Sequence, residues 1–334
     1  GPAGVVNGLP LTRLSERRVD QIVRLIEEGR PLEQWPREFF RVESFIRRRD
    51  RMLAQSLPQG AALANFRDRS ARELFSELER ADLSGRGGAG FPTAAKWRMC
   101  REAVGSARYV VCNADEGEPG TFKDRVLLTD YADDLIEGMT LCALAIGAAR
   151  GFIYLRGEYG WLYPHLEWVL ERRRGDELLG AAILGHGDWC FDIEIHLGAG
   201  AYICGEESAL IESLEGKRGT PRSRPPYPVE SGYLGQPTVV NNVESFVAAA
   251  HIGAKGGAWF AGEGRGTKLH SVSGDCERPG IYEFPVGCTI GEIVEAAGGG
   301  NAQAVQVAGA AGELFLAEEF GQAIDLKKRK TCLL

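Results

Sequence analysis

Residues 108–120 read Arg108-Tyr109-Val110-Val111-Cys112-Asn113-Ala114-Asp115-Glu116-Gly117-Glu118-Pro119-Gly120. The apolar run from Arg108 to Cys112 predicts a short buried strand, and the amide, acids and glycines that follow predict a polar loop at its end. The pattern recurs downstream. Gly151 to Leu155 is a second buried strand. From Phe191 to Leu197 the chain alternates Phe191, Ile193 and Ile195 with Asp192 and Glu194, as a third strand does. Helical spacing fills the intervals, over Phe122–Thr129, Asp134–Ala149, Trp161–Arg172 and Glu206–Leu214. An irregular proline-rich loop, Pro221–Pro237, precedes a further helix over Asn241–His251. Strands alternating with helices predict an α/β domain with a mainly parallel sheet.

Flanking segments differ. Val19, Ile22, Val23, Leu25 and Ile26 form the apolar stripe of a helix over Arg17–Glu28, which Gly29 stops. Further helices are predicted over Phe39–Ala54 and Ala71–Leu83. After Gly256-Gly257, Leu269–Ser273 and Gly280–Phe284 flank a Pro279-Gly280 turn, and a helix over Thr289–Ala297 follows. That succession suggests a small β-grasp-like module. The tail Lys327-Lys328-Arg329-Lys330 carries no packing signal.

The 334 residues are enough for two or three domains. A net charge of -7 argues against a general nucleic-acid binder. Arg47-Arg48-Arg49 and Arg172-Arg173-Arg174 sit beside acids and read first as solvated helix faces, secondly as a docking surface. The longest apolar stretch, Leu141–Ala149, is too short to span a membrane. The chain starts at Gly1 without a secretory pattern, which fits a processed chain or a fragment. None of the eight cysteines lies two residues from another, so closely spaced metal-binding pairs are missing. Reduced, buried thiols fit a cytoplasmic location. The histidines show no ligand spacing, and His196 reads as structural.

Three segments carry the chemistry. The first is Gly85-Arg86-Gly87-Gly88-Ala89-Gly90-Phe91-Pro92, followed by Lys96. Its glycines expose backbone N–H groups, and its cations suit a phosphate. Gly85, Gly87 and Gly90 satisfy G-x-G-x-x-G, but a helix precedes them and Pro92 follows, so an ordinary Rossmann dehydrogenase is rejected. A glycine-rich turn explains this segment alone equally well. The second is the acidic loop with Asp115, Glu116, Glu118 and Asp124. Its spacing does not match an EF-hand. Its carboxylates can accept from ribose or ribityl hydroxyls, or cap a helix start with solvated acids. The third runs from Gly198-Ala199-Gly200-Ala201-Tyr202 through Gly205-Glu206-Glu207 to Val240-Asn241-Asn242-Val243-Glu244. Glu206, Glu207, Asn241 and Asn242 are also cap residues by type.

Together these segments closely resemble the family of NADH-oxidising flavoprotein subunits. That family includes the flavin subunit of respiratory complex I, the diaphorase subunit of NAD-reducing hydrogenases, and the matching subunit of NAD-dependent formate dehydrogenases. The resemblance runs from about Leu83 to Gly298, with Asn113–Arg125 and Gly198–Glu244 matching almost residue for residue. Tyr154–Tyr159, Glu215–Arg222 and Gly274-Asp275-Cys276 look most like the hydrogenase branch, as does Thr12-Arg13-Leu14 more faintly.

The resemblance implies a Rossmann-like FMN-binding α/β domain over 83–255, an N-terminal helical region over 1–82 and an SLBB-like β-grasp module over 256–334. By the same resemblance FMN lies on Gly85, Arg86, Gly87 and Lys96, with Asn113, Asp115, Glu116 and Gly117 at its ribityl and ring edges. Tyr202, Gly205, Glu206, Val240, Asn241 and Asn242 complete the flavin pocket. Phe91, Glu118, Glu207, Arg224 and Tyr227 match positions that hold NADH. Hydride passes between nicotinamide and flavin, so no side chain need act as nucleophile. The implied partners are an iron–sulfur subunit and a small thioredoxin-like ferredoxin subunit. Departures are Ser84, Ala94, Arg224 and Tyr227, where the family more often has arginine, glycine, lysine and phenylalanine. Family members continue into a C-x-x-C-x-x-C domain for a [4Fe–4S] cluster. The sequence to Leu334 lacks that motif, and Cys332 does not replace it. A non-catalytic assembly module is the alternative from a different class.

Overall fold

A computed structural model of the chain describes residues 3–310 and 312–324. It opens with a hairpin of β1 (Gly4–Val6) and β2 (Leu9–Leu11), then helix α1 (Glu16–Glu27). The Ser15 hydroxyl caps α1 by accepting from Arg18 N. Ile22 and Leu25 pack on a small cluster of Leu11, Trp35 and Phe39. The remainder of the apolar stripe, Val19, Val23 and Ile26, is exposed.

The helix predicted over Phe39–Ala54 does not form. A short 3-10 turn covers Arg37–Phe39, and strand β3 (Ile46–Arg48) follows. β3 runs parallel to a strand near the other end of the chain, placing Ile46 beside Ile281. A partner so distant leaves no mark on the local pattern, and tertiary pairing overrides helix propensity here. The arginine run is therefore not a helix face. Arg47 Nε donates to Pro279 O, Arg48 Nε to Glu283 O and Arg49 to Leu53 O, at 3.0, 2.9 and 2.8 Å.

Helices α2 (Ala61–Phe66), α3 (Ala71–Arg80) and α4 (Thr93–Glu102) lead into the central domain. There the order is β4 (Tyr109–Ala114), α5 (Lys123–Asp130), α6 (Ala132–Ile146), β5 (Arg150–Leu155) and α7 (Tyr163–Gly175). Then come β6 (Asp192–Leu197), α8 (Glu207–Leu214), the single turn α9 (Pro228–Ser231), β7 (Thr238–Asn242) and α10 (Val243–Lys255). β7 is an addition to the strands expected from periodicity, although Thr238-Val239-Val240 is a β-branched run. α9 is one ordered turn within the otherwise irregular proline-rich loop.

The four strands form a parallel sheet in the order β6-β5-β4-β7. Alternation assigns its faces. Val110, Cys112, Ala114 and Ile153 join the main core with α6 and α10, while Val111, Phe152, Tyr154 and Val240 meet Leu210 and Ile211 of α8. From β4 the chain moves outward to β5 and β6, then returns to the other side of β4 as β7. Such a reversal opens a crevice at the carboxyl ends of β4 and β7, where ligands bind in sheets of this kind.

The second arginine run ends α7 and is not a solvated face either. Arg173 is fully buried and pairs with Glu137 and Asp133 of α6. Glu137 also accepts from Ala62 N and Leu63 N at 2.9 and 3.1 Å, satisfying N–H groups that Gly60 cannot cap.

After α10 come α11 (Gly257–Ala261), β8 (Thr267–Val272), β9 (Gly280–Pro285), α12 (Ile290–Ala297), β10 (Ala304–Val307) and β11 (Glu313–Leu316). β8 and β9 pair antiparallel, and β3 completes a sheet of order β3-β9-β8. Residues from the first and last regions thus share one sheet. Buried Glu283 fastens them: it accepts from Asp50 N, Met52 N and Leu53 N, each at 2.8 Å, and from Thr267 Oγ1 at 2.6 Å. Lys327–Lys330 and Cys332 lie outside the described residues. No helix among those described is long and apolar enough to cross a membrane.

Candidate functional site

The three segments singled out in the sequence meet at the carboxyl edge of the central sheet. The glycine loop bridges α3 and α4 and is closed by Gly85 N donating to Phe91 O at 2.9 Å. Arg86 N donates to Ser245 Oγ at 2.9 Å, which seats the loop on the start of α10. A Cβ on Gly87 would lie 3.2 Å from Asn242 Cβ, so a larger residue there would press on the end of β7. From α4, Lys96 Nζ reaches Val240 O at 3.0 Å and Glu207 Oε2 at 2.9 Å. Its neighbour Trp97 donates to Asn241 Oδ1 at 2.9 Å.

The acidic loop meets the third segment as closely. Asn113 Nδ2 donates to Gly205 O at 2.8 Å, and Asn113 Oδ1 accepts from Asp115 N at 3.1 Å. A Cβ on Gly117 would lie 3.1 Å from the Tyr202 ring. Glu118 accepts from Tyr202 OH. Glu206 caps α8, its Oε2 accepting from Ser208 N and Ala209 N at 3.0 and 2.9 Å. Arg224 stands 3.6 Å from Glu206 and 3.8 Å from Glu207, with its guanidinium over the Tyr227 ring. Phe91, Tyr202 and Tyr227 are each nearly half exposed, so their rings are free to meet a flat ligand.

Two residues point elsewhere. The Arg86 guanidinium is buried and donates to Thr267 O at 2.9 Å, with Glu244 at 3.8 Å. Burial lowers its proton affinity, and Glu244 opposes that loss. Its cation thus bridges the central domain to β8, and the loop's backbone and Lys96 are left to face an anion. Glu116 is likewise turned inward: its carboxylate accepts from Asp124 N, Arg125 N and Tyr159 OH at 2.9, 3.2 and 2.9 Å. It serves as a remote cap for α5.

Asp124 is not a solvated acid. It is buried with Lys123, whose Nζ lies 2.6 Å from Asp124 and 3.0 Å from Glu244 and from Asn242 Oδ1. Asn242 Nδ2 donates to Asp124 Oδ2 at 2.6 Å, while Asn242 Oδ1 caps α10 through Glu244 N. Burial would lower the Lys123 affinity for its proton, but Asp124, Glu244 and Glu116 outweigh it and raise that affinity. Lys123, Trp97 and Ser245 hold the site's frame without any mark in the sequence. Their partners lie on other elements, so no local signal points to them.

Burial pushes the Asp115 carboxyl up to about 6. Burial, with Asp124 adding repulsion, pushes Glu116 up to about 7. Asp115 Oδ2 and Glu206 Oε1 are buried without a hydrogen-bond partner. Orphaned acceptors beside an open backbone suit a ligand rich in hydroxyl donors. With Lys96 and the glycine-loop N–H groups for a phosphate, the donor set fits a ribityl phosphate and its ring. His196 stacks on Tyr154 at 5.3 Å, as a structural residue does. Among the described residues no group of three or more His, Cys, Asp or Glu is placed to hold a metal ion. A cavity of about 170 Å³ lined by Thr129, Asp133, His165, Trp168 and Arg172 shares no residue with this constellation.

Residues 78–251 match the Nuo51 FMN-binding domain, and residues 271–313 match the SLBB domain. The NAD-reducing hydrogenase HoxS subunit alpha of Cupriavidus necator is 44% identical over 96% of this chain and 56% of its own length. The NADP-reducing hydrogenase subunit HndC of Solidesulfovibrio fructosivorans is 40% identical over 81% of this chain and 56% of its own. A crystal structure of an NAD+-reducing [NiFe]-hydrogenase in the H2-reduced state superposes with a TM-score of 0.89 at 47% identity. That match covers 98% of this chain and 57% of the other. The chain thus spans little more than half the length of these relatives.

Proposed function

The chain belongs to the Nuo51 FMN-binding family, with an SLBB domain after it, and from that premise we propose that it is the FMN- and NAD(H)-binding module of a hydrogenase diaphorase subunit. The observation that carries the reading is the meeting of three sequence-distant loops at the β4–β7 crevice, where Asp115 Oδ2 and Glu206 Oε1 lack hydrogen-bond partners. The hydrogenase branch is favoured over complex I or formate dehydrogenase subunits because the match to the hydrogenase alpha subunit covers 96% of the chain.

Bound FMN would supply the chemistry, taking one hydride, and so two electrons, from NADH and releasing the electrons singly. The protein's task is then placement. Asp115 and Glu206 would accept from ribityl hydroxyls. The glycine-loop amides and Lys96 would meet the phosphate, and Asn113, Asn241 and Asn242 keep the strand ends rigid beneath it. Phe91 and Tyr227 would flank the dinucleotide, Glu118 would meet a ribose, and Arg224 would stand against a phosphate. Glu207 would sit by the adenosine ribose, where its charge disfavours a 2′-phosphate and so selects NAD over NADP.

We assign residues 1–82, 83–255 and 256–334 to the N-terminal region, the flavin domain and the β-grasp module. Electrons would pass onward to an iron–sulfur subunit and a small thioredoxin-like ferredoxin subunit in a cytoplasmic assembly. This stretch carries no C-x-x-C-x-x-C run to hold a [4Fe–4S] cluster. The test is direct: purified protein should carry a yellow flavin that NADH bleaches without oxygen. Colourless protein that refuses added FMN yet binds partner subunits would favour a non-catalytic assembly module.

A further inference from the structure

The tip of the β10–β11 hairpin reaches back to the acidic loop of the central domain. Ala310 N donates to Glu118 Oε1 at 2.8 Å, across 192 positions of sequence. Gly309 adopts φ +76°, and a Cβ there would collide with the Glu118 side chain. A side chain there would push the Glu118 carboxyl group out of its place. On the opposite side, Glu118 Oε2 accepts from Tyr202 OH. One glutamate is therefore held by two donors from two other parts of the chain.

This grip has a chemical consequence. A glutamate on a loop has many rotamers, and ordering it when a ligand arrives costs binding free energy. A carboxylate already fixed avoids most of that cost. The grip does not use up the acceptor, since each carboxylate oxygen has more than one lone-pair site. Both donors are neutral, so neither cancels the charge that would face a ribose hydroxyl.

We propose that the β10–β11 tip is a wall of the dinucleotide site, with Ala310 and Tyr202 as positioning residues that present Glu118 to NAD(H). The inference rests on the reading that Glu118 meets the dinucleotide. It adds that the β10–β11 tip helps set dinucleotide affinity while flavin retention does not depend on that tip.

The test uses the FMN-loaded protein and NAD+ as the probe. Ala310→Pro removes the N–H donor. Gly309→Asp sets a like charge against Glu118 at a position whose positive φ aspartate tolerates. NAD+ affinity is measured by calorimetry, flavin content by absorbance, and hydrogen exchange over residues 304–316 with and without NAD+. Both variants should bind NAD+ roughly tenfold more weakly at unchanged flavin content. The wild-type hairpin should exchange more slowly once NAD+ is added. Wild-type NAD+ affinity in both variants overturns the proposal. So does loss of flavin in both, which would mark a role in the whole fold. Failure of the wild type itself to bind NAD+ removes the dinucleotide reading and this inference together.

Discussion

The indole N–H of Trp97 donates to Asn241 Oδ1 at 2.9 Å, joining the helix after the glycine loop to the penultimate residue of β7. Trp97 has no exposed surface and Asn241 has 5%. Trp97→Phe keeps an aromatic ring but orphans a buried amide oxygen, a cost of about 1–3 kcal/mol. Urea unfolding should show that loss, and the flavin should dissociate more readily on dilution. Unaltered flavin retention would remove Trp97 from the supports of the pocket.

Arg173 and Glu137 form a buried ion pair beneath α2. Arg173→Ala leaves Glu137 charged and unpaired, which should lower stability by about 3–5 kcal/mol. Arg173→Met combined with Glu137→Gln removes both charges while keeping an acceptor for Ala62 N. Urea titrations should find the double variant more stable than the single one. The reverse order would show that the pair is not a unit.

Asp115 provides a pH signature. Its folded carboxyl titrates near 6, against 3.8 for the free group, because burial favours the protonated form. Between those values the folded protein holds a proton that the unfolded chain has released. Stability therefore falls as pH rises through that window and levels off above it. Asp115→Asn abolishes this contribution. In flavin-free protein, the stability of the variant relative to wild type should grow from pH 4.5 to about 6 and then stay constant. A difference that does not vary with pH would contradict the burial argument.

Glu207 is tethered to Lys96 at 2.9 Å. Glu207→Ala would remove the negative charge proposed to lie by the adenosine ribose. Wild type should favour NADH over NADPH by at least roughly tenfold in kcat/KM, about 1.4 kcal/mol, and the variant should lose most of that preference. Equal use of the two dinucleotides by wild type would refute the assignment.

The site's loops were legible because glycine, proline, acids and amides announce irregular backbone by their own chemistry. Gly85–Pro92 and Asn113–Gly120 needed no partner to be recognised. Orientation was another matter. Arg86 belongs to a cation-rich loop by composition, yet its guanidinium serves Thr267 O and Glu244. Asp124 reads as a surface acid, yet Lys123 and Asn242 enclose it. β3 and Glu283 were invisible for the same reason: their partners lie at the far end of the chain. Local periodicity reports which residues seek burial, and it does not report which remote groups will meet them.

The pairing of β3 with β9 sets a schedule for the growing chain. Arg48 and Glu283 are 235 positions apart. During synthesis β3 emerges long before β9 and then waits, on the order of tens of seconds, until its companion leaves the ribosome. Throughout that interval Ile46 has no sheet to enter, and the backbone amides of Asp50, Met52 and Leu53 have no carboxylate to meet. The flavin domain can complete its own core meanwhile, so β3 would be among the last elements to settle.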